Sequence, residues 1–411
     1  MGILSELCNF DSPVFFVQFC IALCVKKVKY IAHSVNEGAI MTSISKSTLE
    51  IIAALSAEGR KAARVMQPAV DALRADGFFR HFAPARFGGR EADPQSFFLD
   101  QIAIAEADMS TAWACGIIAV HAYQVALMDE RAQQEVWADG PDAMISSSYN
   151  PVGAKVEKVE GGVMISGRWG WSSGSLHCNW VLLGGIVPGE NYRTFLVPIS
   201  DYRIENTWFT MGLQATGSND IVIDKPVFVP DYRSHKRIDG FNGVHSQPNK
   251  IYDLPWAQTF VRVVNTSAIG AVKHAIRLFI EKSGVSSTDE TKKATDPDVL
   301  ERVARAANMV EEVTAVLIHN FDEMEAANWK PSIEKRVQYR YQASLVGDRC
   351  IEAMDMLFDV AGGRSVYLGN ELQNLWHDVR MARAHVANNP VGFARNYANV
   401  LMGRENTDLF I

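Results

Sequence analysis

The middle third of this chain constrains its fold more than any other stretch. From Asp142 to about Tyr232 the sequence breaks into short β-rich runs, among them KVEKVEGGVMISGRW, NWVLLGGIV, RTFLVPI and DIVIDKPVFVP. Gly161-Gly162 joins two of these runs as a hairpin. On either side of this region apolar residues recur at spacings of three and four, the period of amphipathic helices. Helices are expected from Ser47 to about Phe79 (one or a pair), Pro94 to Glu106, Ser110 to Leu127 and Glu130 to Val136. They return at Thr259 to Lys282, Pro297 to Ala327, Ile333 to Ala361 and Glu371 to Val386. The order helical, β, helical predicts an α+β chain. Its parts are an N-terminal helical domain (41–141), a compact β-barrel or sandwich (142–235) and a C-terminal antiparallel helical bundle (236–411).

Composition narrows the function classes. A net charge of −7 without a basic block argues against nucleic acid as a partner. The six cysteines form no CxxC pair and no metal-ligand spacing, so a reduced cytoplasmic protein without disulfides or a metal site is expected. The apolar run Pro13 to Val25 is shorter than the roughly 20 residues a bilayer span needs. Its lysines follow it, whereas those of a signal peptide precede it. Met41 opens a segment with ordinary helix caps. Residues 1–40 are therefore expected to be a non-native or disordered extension, with a membrane or partner-binding tail as the alternative.

Several segments place polar groups in apolar surroundings. GRWGWSSGSLHCNW holds Trp171, Ser172 and Ser173, which are turn and core residues or a ligand-facing set. His121 in GIIAVHAYQVAL is a satisfied core histidine or a base whose pKa range suits work near neutrality. His385 in LWHDVRMARAHVANNP either gains from a helix C-terminus or faces a ligand. Arg262 in PWAQTFVRVVNTS forms a salt bridge within the bundle or meets an anion. Thr216 and Ser218 in TGSND, and Ser146-Ser147-Ser148, are turn or strand residues or site residues. Trp113, Tyr123, Trp256 and Phe260 are core or the walls of an aromatic pocket. No GxGxxG loop stands in a βαβ context, so no nicotinamide site is expected.

Four landmarks, DGFFRHFAPARFGG, WSSG, TGSND with a strand ending VPDYR, and AGGRSVYLGNELQNLWHDVR, resemble the acyl-CoA dehydrogenase fold in order and spacing. The resemblance runs from about Leu49 to Arg404. At the C-terminal position where such dehydrogenases often carry a glutamate base, this chain has His385. Together with SSSYNP and WSSG, that histidine makes the chain most similar to the oxygenase components of two-component flavin-dependent (group D) aromatic monooxygenases, the group that hydroxylates p-hydroxyphenylacetate and secosteroid phenols.

The resemblance implies reduced FMN or FAD from a separate NAD(P)H:flavin reductase, O2 as co-substrate, a C4a-hydroperoxyflavin, and hydroxylation of a phenolic ring. Indoles and sulfur heterocycles are the neighbouring substrate classes, and acyl-CoA thioester oxidation or a non-catalytic role are the alternatives. It further implies Ser173 at flavin N5, Trp171 over the ring, Ser172, Thr216, Ser218 and Arg262 near the flavin, and His385 at the peroxide. His121 would meet the substrate hydroxyl, with Ser147 or Ser148 and Trp113 beside it. A homotetramer is implied in the same way.

Overall fold

The structure, a computed structural model, describes residues 42–236, 245–283 and 296–411. The extension expected at 1–40 lies outside them, as do part of the loop from Asp239 to Pro255 and nearly all of the polar connection after Ser283.

Five helices come first: α1 (Lys46–Ala62), α2 (Gln67–Ala75), α3 (Pro94–Ala107), α4 (Met109–Ala126) and α5 (Glu130–Val136). Ser45, Asp93 and Asp108 cap α1, α3 and α4 by accepting from backbone N–H groups that the first turn leaves unpaired. Every residue of α4 is buried, as its nearly unbroken apolar sequence requires. The expected 47–79 helix is a pair, broken at Ala63, which adopts a left-handed conformation.

Eight strands follow: β1 (Ile145–Ser148), β2 (Ala154–Val159), β3 (Gly162–Ser172), β4 (Trp180–Ile186), β5 (Tyr192–Pro198), β6 (Arg203–Glu205), β7 (Asn219–Pro230) and β8 (Ser234–Lys236). They form two four-stranded sheets, ordered β1-β4-β5-β8 and β2-β3-β7-β6. The β2–β3 hairpin turns at Glu160-Gly161, with Val159 opposite Gly162. Val163, Ile165 and Ile221 of one sheet meet Val181, Phe195 and Val197 of the other in a shared core. The Trp169 indole donates to the Gly184 carbonyl across it, at 2.8 Å.

The expectation of a barrel is therefore corrected to a sandwich. Closure needs a continuous ladder around the sheet, and the strands instead pair in two separate four-stranded ladders.

The helical return comprises α6 (Trp256–Val263), α7 (Thr266–Ser283), α8 (Pro297–Ala326), α9 (Ile333–Val360), α10 (Glu371–Arg383) and α11 (Pro390–Leu401). The expected helix at 259–282 is interrupted after Val263. Asn388 donates to the Val264 carbonyl freed by that break, at 2.7 Å, and to Ala382 at 2.8 Å. α9 packs against α7, α8, α10 and α11. α11 is additional to the sequence expectation. Pro390 occupies the first helical turn, with Asn389 as cap, so this proline starts a helix. No described helix is long and apolar enough to cross a membrane.

The fully buried Asp378 of α10 takes both Arg60 nitrogens of α1, at 3.0 and 2.8 Å, and the Leu213 backbone N–H at 2.5 Å. Burial raises the Asp378 pKa, and the Arg60 hydrogen bond opposes that shift. Removing one partner of such a pair leaves an uncompensated buried charge. Asp378→Ala should therefore cost about 3–5 kcal/mol in urea unfolding. Asp359→Ala, which breaks an exposed pair with Arg302 at 3.2 Å, should cost below about 1 kcal/mol.

Candidate active site

A cavity of about 840 Å³ opens between the sandwich, α4, α6 and the turn after α10. That is the size range of cofactor and substrate sites, roughly 300–1,000 Å³. Its walls are mostly aromatic and aliphatic: Trp113 and Ile117 from α4, Trp256 and Phe260 from α6, and Trp171, Trp208 and Leu213 from the sandwich.

A β-bulge between Trp169 and Ser172 shapes one side. It leaves Trp171 at φ +64°, a conformation that costs a non-glycine residue energy. The result is an indole 65% exposed at the cavity rim. Next to it, Ser173 reaches the cavity at the end of a hydrogen-bonded line. Thr216 Oγ1 donates to the Leu213 carbonyl at 2.8 Å, so it accepts from Ser218 Oγ at 2.7 Å. Ser218 has then spent its proton and accepts from Ser173 Oγ at 2.8 Å. Trp113 Nε1, a donor only, gives Ser173 a further bond at 3.1 Å. Ser173 therefore offers the cavity a lone pair and no proton.

His385 lies beside the same indole, its ring edge-on to Trp113 with centroids 6.0 Å apart. Its Nδ1 accepts from the Ala387 N–H at 3.1 Å, so it caps the short 3₁₀ turn Val386–Asn388. Its neutral ring must carry the proton on Nε2. Desolvation, with the Arg340 charge adding, lowers its pKa to about 4. His121 is the mirror case. Its Nδ1 lies 3.1 Å from the Ile145 carbonyl and so bears the proton, which leaves Nε2 a buried acceptor without a partner. Burial lowers its pKa to about 4. Its ring lies 5.9–6.0 Å from those of Tyr149, Trp256 and Phe260, so it stands one layer behind the cavity wall.

The comparisons with known proteins agree on one family. Residues 263–390 match the model for the acyl-CoA dehydrogenase C-terminal domain. The flavin-dependent monooxygenase oxygenase subunit HsaA of Mycobacterium tuberculosis is 34% identical over 341 residues, covering 80% of this chain and 86% of HsaA. The crystal structure of 3-HSA hydroxylase from Rhodococcus sp. RHA1 superposes with a TM-score of 0.84 at 30% identity, covering 89% of this chain and 97% of that one. The oxygenase component of p-hydroxyphenylacetate 3-hydroxylase from Acinetobacter baumannii is 29% identical over 98% of both chains.

The chain belongs to the oxygenase-component family of flavin-dependent monooxygenases.

Within this family member, the cavity brings together Trp113, Ser147, Ser148, Trp171, Ser173, Ser218 and His385 from the sequence-level candidates. Both serines of the undecided pair face it, Ser148 also donating to the Gly170 carbonyl at 2.5 Å. Thr216 acts through Ser218. Ser172 is fully buried and donates to Ser146 at 3.1 Å. Arg262 is not on the wall. Its guanidinium lies over the Phe321 ring at 4.8 Å and donates to the Gln258 carbonyl at 2.5 Å, and its Nη2 has no partner. Desolvation lowers its pKa to about 9.

The sequence reading missed Tyr149, Arg340, Phe393, Asp408 and Phe410, all on the wall. Only Tyr149 carried a usable signal, its place beside the serine run. Among the described residues no cluster of potential metal ligands occurs.

Histidines that burial keeps neutral make stability depend on pH. His121, His385 and His235 are lowered to about 4, 4 and 3, each chiefly by desolvation. As pH falls below the unfolded value of about 6.5, the unfolded chain takes up protons that the folded state refuses, so stability falls. The urea midpoint should therefore drop between about pH 6.5 and 5, above most carboxylate titration. His235→Gln should remove part of that slope.

Proposed function

We propose that this chain is the oxygenase component of a two-component monooxygenase that uses reduced flavin and O2 to hydroxylate an aromatic, phenolic substrate. A separate NAD(P)H:flavin reductase supplies the flavin. One observation carries this reading: the hydrogen-bonded line ending at Ser173 presents an acceptor. Reduced flavin bears a proton at N5, whereas oxidised flavin bears a lone pair there. The site therefore complements the reduced form, and Trp171 supplies a ring-sized apolar surface beside it.

Bound reduced flavin supplies the activation of oxygen. The residues of the chain do the rest. Ser173 would accept a hydrogen bond from the proton at flavin N5 and so delay its loss. His385 is on the cavity wall with its proton on Nε2, from which it would donate to the activated oxygen as a neutral group. The apolar walls exclude the water that would otherwise release peroxide. His121 keeps a free Nε2 behind Tyr149, Trp256 and Phe260. A phenol hydroxyl that parts those rings meets a base, and drawing its proton raises the nucleophilicity of the ring. Ser147 and Ser148 offer hydroxyls on the same wall.

Thioester oxidation is a weaker reading, because it needs a carboxylate base at the reacting centre. Glu371 is instead placed against His274 at 3.0 Å. The one carboxylate among the described residues of the cavity wall, Asp408, accepts from the Phe410 backbone N–H at 2.9 Å.

The same reading extends to FMN or FAD as the flavin and to a cytoplasmic homotetramer. It includes a layout of 41–141, 142–235 and 236–411, with α7–α10 as an antiparallel four-helix bundle.

Product and hydrogen peroxide per O2 consumed, measured with photoreduced flavin and a panel of phenols, test the assignment. His385→Ala should divert most oxygen to peroxide. His121→Ala should slow hydroxylation by about 10²-fold or more without adding peroxide when substrate is absent. Identical behaviour of the two variants would overturn this division of roles. Bleaching of bound flavin by an acyl-CoA, with no phenol hydroxylated, would overturn the monooxygenase reading itself.

A further inference from the structure

The cavity is apolar but not neutral. Arg340 of α9 is the one cationic side chain on its described wall. It is 2% exposed. Its Nη1 donates to the Ala387 carbonyl at 3.1 Å, and its guanidinium lies over the Phe393 ring at 3.5 Å. Its Nε has no partner. Desolvation lowers its pKa to about 10, so it remains a cation near neutral pH.

A guanidinium has five donors and usually meets a carboxylate when buried. Here no described carboxylate reaches ion-pairing distance. Asp408 acts on Arg340 only at longer range. The Asp408 carboxylate is engaged in its own turn, where Oδ1 takes the Phe410 N–H. That turn is fixed by Asn396, whose Oδ1 accepts from Thr407 N at 3.0 Å and whose Nδ2 donates to Asn406 at 2.8 Å. A buried cation left in this state is costly, and an anionic ligand would relieve it.

We propose that Arg340 binds a carboxylate carried by the aromatic substrate, which makes hydroxyaryl carboxylates the substrate class of this site. The inference rests on the monooxygenase reading above. It fits the division of the walls. Ser173, Ser218 and Trp171 stand on the sandwich side, where the flavin edge belongs. Arg340 stands with Phe393, Asp408 and Phe410 on the side built by α9, α11 and the segment after α11. Phe410 meets Phe260 there at 6.2 Å, and Phe260 in turn flanks His121 at 6.0 Å. An aromatic ring lying against this phenylalanine pair would have a base toward one end and a cation toward the other.

The test is anaerobic titration calorimetry on the full chain saturated with reduced FMN, near neutral pH. The ligand pair is 3-(4-hydroxyphenyl)propionate and its neutral amide. Wild type should bind the acid about tenfold or more tightly than the amide, as a charge-assisted bidentate pair supplies. Arg340→Met should bring the two within about twofold, and Arg340→Lys should retain part of the preference. Asp408→Asn keeps the Oδ1 cap and removes a like charge, so it should increase the preference for the acid. This second variant decides the matter if Arg340→Met does not fold.

Equal binding of acid and amide by wild type overturns the proposal. So does an acid preference that survives Arg340→Met, or one that Asp408→Asn leaves unchanged or weakens. A third arm compares reduced FMN with reduced riboflavin. If Arg340→Met abolishes the preference for FMN instead, the anion is the flavin phosphate and the proposal falls. Hydroxylation of neutral phenols tests the monooxygenase reading separately, because it can succeed while the acid preference is absent.

Discussion

The site hangs on the carboxylate of Asp378. It joins α1 through Arg60 and holds the Leu213 backbone N–H, while the Leu213 carbonyl receives Thr216 Oγ1 and the Trp208 indole at 2.8 Å each. From that carbonyl the hydroxyl line runs through Thr216 and Ser218 to Ser173. Each hydroxyl has one proton, so a single fixed acceptor at the start sets the direction of every later bond. An ion pair in the interior thus specifies which hydrogen-bonding character the cavity sees at Ser173. The loop has no freedom to slide: a Cβ on Gly212 would stand 2.4 Å from the His377 carbonyl oxygen of α10.

The two histidines show the same economy with opposite outcomes. The backbone decides the tautomer in each. A carbonyl at Ile145 takes the Nδ1 proton of His121 and leaves a base. An N–H at Ala387 fills Nδ1 of His385 and leaves a donor. Burial then keeps both rings neutral, and His385 is further discouraged from protonation by Arg340. His385 keeps partial exposure to the cavity, whereas His121 is fully enclosed. Neutral partners suit an activated oxygen that decomposes when protons are supplied too freely.

The order of helical and β segments was legible because period and turn residues report it directly. The motifs also singled out Ser173 and His385, and both line the cavity. Barrel and sandwich were not separable in the sequence because short runs reveal strands but not how they pair into sheets. α11 was missed because Asn-Asn-Pro serves equally as a stop and as a cap followed by a first turn. The direction of the Ser173 line depends on a carbonyl 40 residues away in sequence. Arg340 was invisible for a different reason. It lies in KRVQYRYQ, where Arg336 one turn earlier has the same residue type, and only packing separates the half-buried side chain from the one on the cavity wall.

Chemistry and selection therefore come from different parts of the chain. The donors and acceptors that would handle flavin and oxygen sit on the sandwich, α4 and the turn after α10, all tied together by buried hydrogen bonds. The charges on the wall come from α9 and from the segment after α11. That segment touches the cavity through Asp408 and Phe410 and is held by Asn396 and its own turns. A change at Phe410 or Asp408 would alter what the cavity admits without entering the hydrogen-bonded line to Ser173. Arg340 is the exception, because its bond to the Ala387 carbonyl also supports the turn that orients His385. A ligand drawn to that guanidinium would be recognised at the same residue that steadies the oxygen-facing histidine, which links substrate choice to protection of the reaction.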